Sequence, residues 1–311
     1  MSRLALLLKS HGPDLSYAQR LVDSFTSFNS DDLILHCVVP RADLPGFASL
    51  AARSVVLHSE EDVAVKHLVA EGMHGLPAGY INQEIVKLSF WETGLADNYF
   101  CVDSDAVFIR AFGAADFMRD ESTPYSVLVQ DKDLIVEPTY YREHWQGREQ
   151  AIRRIMELVE LDDPIMRTCH GHQVFSARVL ESFVSNFLEP RGWTYSDALR
   201  EAPYEFSWYS MWLQKSGVID IHAVEPLVKV FHNADQHLAS LLMGESIEDF
   251  ARAYVAVVVN SNYSRDLGVL PTGASKAESL APYFSYSEAG ALLGAKVRDT
   301  WRRRVGRSGP G

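Results

Sequence analysis

Apolar and polar positions follow two rhythms through the first 110 residues. Solid apolar runs of four to six positions alternate with longer stretches of helical spacing. Residues 3–9 read Arg-Leu-Ala-Leu-Leu-Leu-Lys, too short for a helix and suited to a buried strand. Leu15, Ala18, Leu21, Val22, Phe25 and Phe28 then recur every three or four positions, which predicts a helix over 15–28. Residues 32–39, closed by Pro40, and the valine-rich 54–58 predict two further strands. Ile81, Ile85, Leu88 and Leu95 mark one side of a helix over 78–93, ended by Gly94. Strands follow at 99–102 and 106–109, on either side of Asp103-Ser104-Asp105. Strands separated by helices of this length are the sequence form of βαβ units. They predict an α/β fold with a Rossmann-like, mainly parallel sheet flanked by helices.

Beyond residue 110 the pattern is less regular and predicts a mixed α+β half. Residues 126–136 read as a strand with Asp131-Lys-Asp133 inside it, and 147–160 and 176–189 as amphipathic helices. An aromatic-rich helix over 204–215 stops at Gly217, strands follow at 218–222 and 227–231, and 253–259 is a core strand or helix. There is no internal repeat and no low-complexity linker. The expected organisation is one domain over 1–245, with a nucleotide-binding half (1–110) and an acceptor half (111–245). A helical and strand extension over 246–300 and a basic tail over 301–311 complete it.

Composition narrows the function. With 311 residues, 47% hydrophobic and 23% charged, the chain has enough apolar mass for a large core. Its net charge of -12 repels nucleic acid. The apolar run at the N-terminus is shorter than a signal peptide's hydrophobic region, and no stretch nears the roughly 20 apolar residues that span a bilayer. Three widely spaced cysteines, Cys37, Cys101 and Cys169, read as reduced thiols. A cytoplasmic location is expected. The arginines of 301–311 read as a solvated tail, their functional alternative being weak contact with anionic headgroups at the inner membrane face.

The candidate chemistry centres on Asp103-Ser104-Asp105. Two carboxylates at a strand's carboxyl end face the crevice where α/β sheets bind ligands. As hard oxygen ligands they suit Mg²⁺ or Mn²⁺ carrying a diphosphate. A polar turn between strands has the same residue pattern, and Asp131-Lys132-Asp133 repeats it, so context must decide. On the preceding helix Tyr80, Gln83 and Lys87 are spaced to share one face, where a lysine and an amide could hold phosphate or sugar hydroxyls. An ordinary solvated helix face would look alike.

The segment Gly79-Tyr-Ile-Asn-Gln-Glu-Ile-Val-Lys-Leu88, followed by Tyr99-Phe-Cys-Val-Asp-Ser-Asp-Ala-Val-Phe-Ile109, resembles the DUF6492-type bacterial glycosyltransferases of GT-A fold. In that group a Gln-x-x-x-Lys-Leu helix precedes a strand ending Asp-Ser-Asp. Val38-Val-Pro-Arg-Ala-Asp43 resembles the second-strand exit that contacts the nucleotide, and Asp14 fits the acid after the first strand. Glu205-Phe-Ser-Trp-Tyr-Ser-Met-Trp212 is similar to the family's Glu-Tyr-Glu-Leu-Tyr-Gly helix, with Ser207 replacing its second acid. The resemblance spans roughly residues 1–235. It implies transfer of a sugar from a UDP- or GDP-sugar to a hydroxyl on a glycan or lipid-linked acceptor. It places donor contacts at Asp14, Arg41, Asp43, Tyr80, Gln83, Lys87, Asp103 and Ser104. A Mn²⁺ or Mg²⁺ would be held by Asp103, Asp105 and, as third ligand, His232. His172 falls where the related enzymes display acceptor-contacting groups.

Glu205 has two readings: a base beside aromatic rings, or a helix-start acid favoured by the dipole. Tyr204, Trp208 and Trp212 would line a cleft beside Glu205, where the two tryptophans, one turn apart, could stack on an acceptor sugar or fill the core. If Glu205 is not catalytic, Asp131 or Asp133 is next in line. Cys169-His-Gly-His172 lacks the second ligand pair that a zinc site needs. Two other functions share these motifs. A haloacid dehalogenase-type phosphatase would use Asp103 as nucleophile and Asp105 as acid/base, with Asp162-Asp163 as its later acids. Its motif, however, belongs on a first strand, and three strand signals precede residue 99. A non-catalytic nucleotide-binding module would need the fold but not Glu205.

Overall fold

A computed structural model describes residues 3–130, 132–162, 171–261 and 294. The strands are β1 (Leu4–Lys9), β2 (Ile34–Val39), β3 (Val55–Ser59), β4 (Asn98–Val102), β5 (Ala106–Phe108), β6 (Tyr125–Val127), β7 (Val174–Ser176), β8 (His222–Val224), β9 (Val228–Phe231) and β10 (Ala256–Val259). The main sheet has the order β3-β2-β1-β4-β7. The first four of these strands run parallel, and β7 pairs antiparallel with β4. The chain moves outward from β1 through β2 to β3, then returns to lay β4 on the other side of β1. That reversal creates a crevice at the carboxyl ends of β1 and β4, where open α/β sheets take ligands.

Both faces of this sheet are covered, which is why its strands read as solid apolar runs rather than alternating ones. Leu7, Tyr99 and Cys101 point into one core, and Leu6, Leu8, Phe100 and Val102 into the other. Helix α1 (Leu15–Phe28) covers the second face with Ala18, Leu21, Val22 and Phe25, as its spacing predicts. Helix α2 (Ala78–Ser89) covers the first with Ile81, Ile85 and Leu88, and a tighter turn over Phe90–Thr93 leads to Gly94 at φ 65°. Helices α3 (Gln146–Val159), α4 (Ala177–Phe183), α5 (Tyr195–Glu201) and α6 (Glu205–Ser216) share that first core.

Four details differ from the sequence pattern. The strand expected over 126–136 is limited to β6, and Lys132–Ile135 is a short helix. The charges of Lys132 and its neighbours disfavour a continuous apolar strand. The helix expected from 176 is preceded by β7, three residues long, and α5 had no clear periodic signal. The strand expected over 218–222 lies at β8, paired with β6. Finally β10, expected in the extension, is the middle strand of a second sheet, β5-β10-β9, and so belongs with the main body. Residues 262–293 and 295–311, including the basic tail, lie outside the described residues. No described helix is long and apolar enough to cross a membrane.

Candidate functional site

A cavity of about 430 Å³ opens at the crevice between β1 and β4, within the size range of small-molecule sites. It is lined from β1 and its exit by Lys9, His11 and Asp14, and from α2 by Tyr80, Gln83 and Lys87. Asp103, Ser104 and Asp105 come from the exit of β4. The second half contributes Arg148, His172, Tyr204, Glu205 and His232.

Asp43 and Gly12 shape the β1 side. The Gly12 N–H donates to Asp43 Oδ2 at 2.7 Å, and a Cβ on Gly12 would sit 3.0 Å from Asp43 Oδ1. Only glycine allows this approach without displacing the acid. The loop so pinned carries His11, whose Nδ1 lies 3.3 Å from Asp14 Oδ2, and Asp14 also accepts from Ser104 Oγ at 3.5 Å. Asp43 thus acts through backbone and is not on the cavity wall. Arg41 is not there either: it is exposed and paired with Asp62 at 2.6 Å. Neither of these two expected donor contacts lines this cavity.

The densest chemistry joins α2, β4 and α6. Lys87 Nζ lies 3.0 Å from Asp103 Oδ1 and 3.0 Å from Glu205 Oε1, and Lys87 is only 1% exposed. The expectation of an exposed polar stripe therefore fails at Lys87. Its long stem reaches inward, and its head is satisfied by two carboxylates and the Phe206 ring, 4.7 Å away. Burial alone would lower the lysine pKa, but Asp103 and Glu205 outweigh it and hold the ammonium well above its ordinary range. Burial likewise opposes the charge on Asp103, yet Lys87 and then His172 keep its carboxyl below the usual range.

His172 approaches Asp103 from the other side, with Nε2 3.5 Å from Oδ2. Its backbone has φ 61°, a left-handed conformation unusual for a residue with a side chain. The preceding Gly171 packs so closely on Phe206 that a Cβ would lie 3.0 Å from that ring. A buried histidine held in this conformation against a cavity carboxylate fits the pattern of strain kept at functional sites.

Asp105 is the other member of the pair. The Ser261 N–H donates to its Oδ2 at 2.8 Å. Burial, and then the charge of Asp103, push its carboxyl up to about 6. Two half-buried carboxylates that repel each other suit a divalent cation, and the chemistry of the donors fits Mg²⁺ or Mn²⁺. His232 faces the same cavity, its ring 4.8 Å from that of Tyr140. Among the described residues, however, no three His, Cys, Asp or Glu side chains converge as a metal shell. Asp103, Asp105 and His232 thus line one cavity without forming a closed ligand shell among the described residues.

Trp208 and Trp212 are core residues, not acceptor contacts. Trp208 is fully buried and donates its indole N–H to Ala202 O at 2.9 Å; Trp212 is 7% exposed. Both pack on Phe183 and Phe187, with centroids 5.5 to 5.9 Å apart. The aromatic groups that do reach the cavity are Tyr80, Tyr140, Tyr204 and Phe206. Of these the sequence pointed to Tyr80 and to Tyr204, beside Glu205. Lys9, His11, Arg148, Asn260 and Ser261 also line the cavity without a local signal. Asp131, Asp163 and Cys169, and the Asp133 side chain, lie outside the described residues. The described cysteines, Cys37 and Cys101, are buried free thiols, and burial pushes Cys37 up to about 12.

No protein-family model matches the sequence, and no curated protein matches it significantly. Solved structures similar to it include the apo WbbM bifunctional glycosyltransferase, with TM-score 0.47 and 13% identity over 83% of this chain. The match covers 46% of that protein, so this chain spans about half its length. Apo mouse xyloside xylosyltransferase 1 gives TM-score 0.47 and 12% identity, over 83% of this chain and 98% of its own.

Proposed function

We propose that the protein is a divalent-cation-dependent glycosyltransferase of GT-A type, moving a sugar from a nucleoside diphosphate sugar to a hydroxyl acceptor. The carrying observation is the Asp103-Lys87-Glu205 chain. It joins an aspartate pair at the sheet's switch point to a buried acid on the opposite wall of one cavity. The motif resemblance to DUF6492-type glycosyltransferases supports the same reading.

In the transfer, a bond forms from the acceptor oxygen to the sugar's anomeric carbon. The bond from that carbon to the diphosphate breaks, and its electron pair leaves on the nucleotide. Asp105 and Asp103 would hold Mn²⁺ or Mg²⁺, which supplies charge neutralisation for the departing diphosphate. In an inverting transfer Glu205 takes the acceptor's proton on its carboxylate; in a retaining one its charge stabilises the cationic sugar and the departing diphosphate takes the proton. Lys87 holds Asp103 and Glu205 in place through its two ion pairs, acting as a positioning residue. His11, Asp14 and Ser104, at the exits of β1 and β4, are placed to meet the nucleoside and diphosphate.

The test is incubation with a panel of UDP- and GDP-sugars and Mn²⁺, following nucleotide release and sugar transfer. Release that requires an intact Glu205 supports the transferase. Phosphate release from phosphomonoesters without sugar transfer would favour the phosphatase chemistry, and nucleotide binding without turnover a binding module. Topology already disfavours the phosphatase, because Asp103 follows the fourth strand in chain order rather than the first.

A further inference from the structure

Three elements of the second reaction partner's side meet next to Glu205. Arg148 on α3 stacks its guanidinium over the ring of Tyr204, 4.8 Å from the centroid, and both residues line the cavity. Tyr80 on α2 lines the same region and is 41% exposed, so its ring is open to a ligand. Its phenol is close enough to feel the charges of Glu205, Glu84 and Arg148. A stacked arginine is fixed in plane, and its fork matches a carboxylate or phosphate. Flanking tyrosines provide faces for the apolar side of a sugar ring.

The charge balance points the same way. Glu84, on α2 near Arg148, is 2% exposed, and neither of its oxygens has a hydrogen-bond partner. Burial, then the charge of Glu205, hold its carboxyl well above the usual range. Glu205 is bonded to Lys87. The ionisable groups that the second half sends into the cavity are otherwise basic or aromatic: Arg148, His172, His232, Tyr140 and Tyr204. The first half contributes Asp14, Asp103 and Asp105 together with Lys9, His11 and Lys87, and those three are paired within the protein to Glu60, to Asp14, and to Asp103 and Glu205. In a chain of net charge -12, an anionic ligand needs such a local cation to enter.

We propose that Arg148, between Tyr80 and Tyr204, forms an acceptor subsite for a sugar or polyol bearing an anionic group, and that this anchor sets the acceptor hydroxyl beside Glu205. The proposal rests on the transferase reading for its orientation, but the anion contact itself does not. Calorimetry with two matched pairs tests it: methyl glucuronide against methyl glucoside, and glycerol phosphate against glycerol. Each is titrated with and without saturating UDP and Mn²⁺. At least one anionic probe should bind roughly tenfold or more tightly than its neutral partner, the difference expected for one charge-assisted pair. The two arms separate carboxylate from phosphate. Arg148→Gln should abolish the preference while UDP affinity stays within about twofold, and Arg148→Lys should retain part of it. Equal binding of charged and neutral probes to the wild-type protein overturns the subsite. Displacement of the anionic probe by UDP overturns the acceptor assignment, because Arg148 would then serve the donor diphosphate. Anionic probes that bind to a protein unable to bind UDP would keep the anion contact and remove the transferase reading.

Discussion

Lys87 and Glu205 are 118 residues apart in sequence, yet their charged atoms meet 3.0 Å apart in a nearly dry wall. Asp103 completes the arrangement from the other side at the same distance. Removing the lysine would leave the buried Glu205 and the half-buried Asp103 without their shared counter-charge. Breaking such a pair typically costs about 3 to 5 kcal/mol. Lys87→Met should therefore lose stability of that order in urea titrations and lose turnover as well. A variant of wild-type stability would show that the carboxylates are solvated and that the lysine is dispensable to the wall.

Glu205→Gln keeps the shape and the contact with Lys87 but removes the negative charge. Turnover should fall by roughly 10² to 10⁴, the range for a lost general base, while nucleotide affinity stays near wild type. Steady-state rates with calorimetry on the same preparations check both halves. A variant retaining most of its rate would reduce Glu205 to a partner of Lys87.

Trp208→Ala should cost about 3 to 5 kcal/mol, because it empties a core position between Phe183 and Phe187. Trp212→Phe keeps an apolar ring in that core, and its acceptor KM should match wild type. A selective rise in KM without loss of stability would return that tryptophan to the acceptor site.

His36 and His58, on neighbouring strands, share a hydrogen bond of 2.9 Å, and His36 is 6% exposed. Burial, then the charge of His58, lower the His36 pKa from 6.5 to about 4. The unfolded chain therefore binds this proton at a higher pH than the fold does. Stability from the pair is complete above about pH 6.5, declines as pH falls towards 4, and changes no further below that. The shift corresponds to a loss of about 3 kcal/mol. His36→Gln should lose less stability than wild type between pH 6.5 and 4 in denaturant midpoints. Parallel losses would show that the pair titrates normally.

The strands β1 to β4 and helices α1 and α2 were legible because two-sided burial and one-sided burial write different periods into a sequence. The Asp-Ser-Asp at a strand end and the α2 stripe identified two cavity elements for the same local reason. Arg148, Lys9 and Tyr140 were not legible, since their place depends on how distant elements pack. The role of Trp208 was ambiguous because α6 is apolar on nearly every side, so its spacing does not reveal which face meets the core. Lys87 was placed on the right face but at the wrong depth. Its partners lie 16 and 118 residues away, beyond any local pattern.

The measurement that tests the central claim most directly is calorimetric titration of UDP and GDP, with and without Mn²⁺, into wild-type protein and Asp105→Ala. One nucleotide should bind wild-type protein in the presence of the cation and weaken at least about tenfold without it or in the variant, a loss of roughly 1.4 kcal/mol or more. Binding that is absent in all cases, or unchanged by both the cation and the substitution, would contradict a metal-assisted nucleotide-sugar site at Asp103 and Asp105.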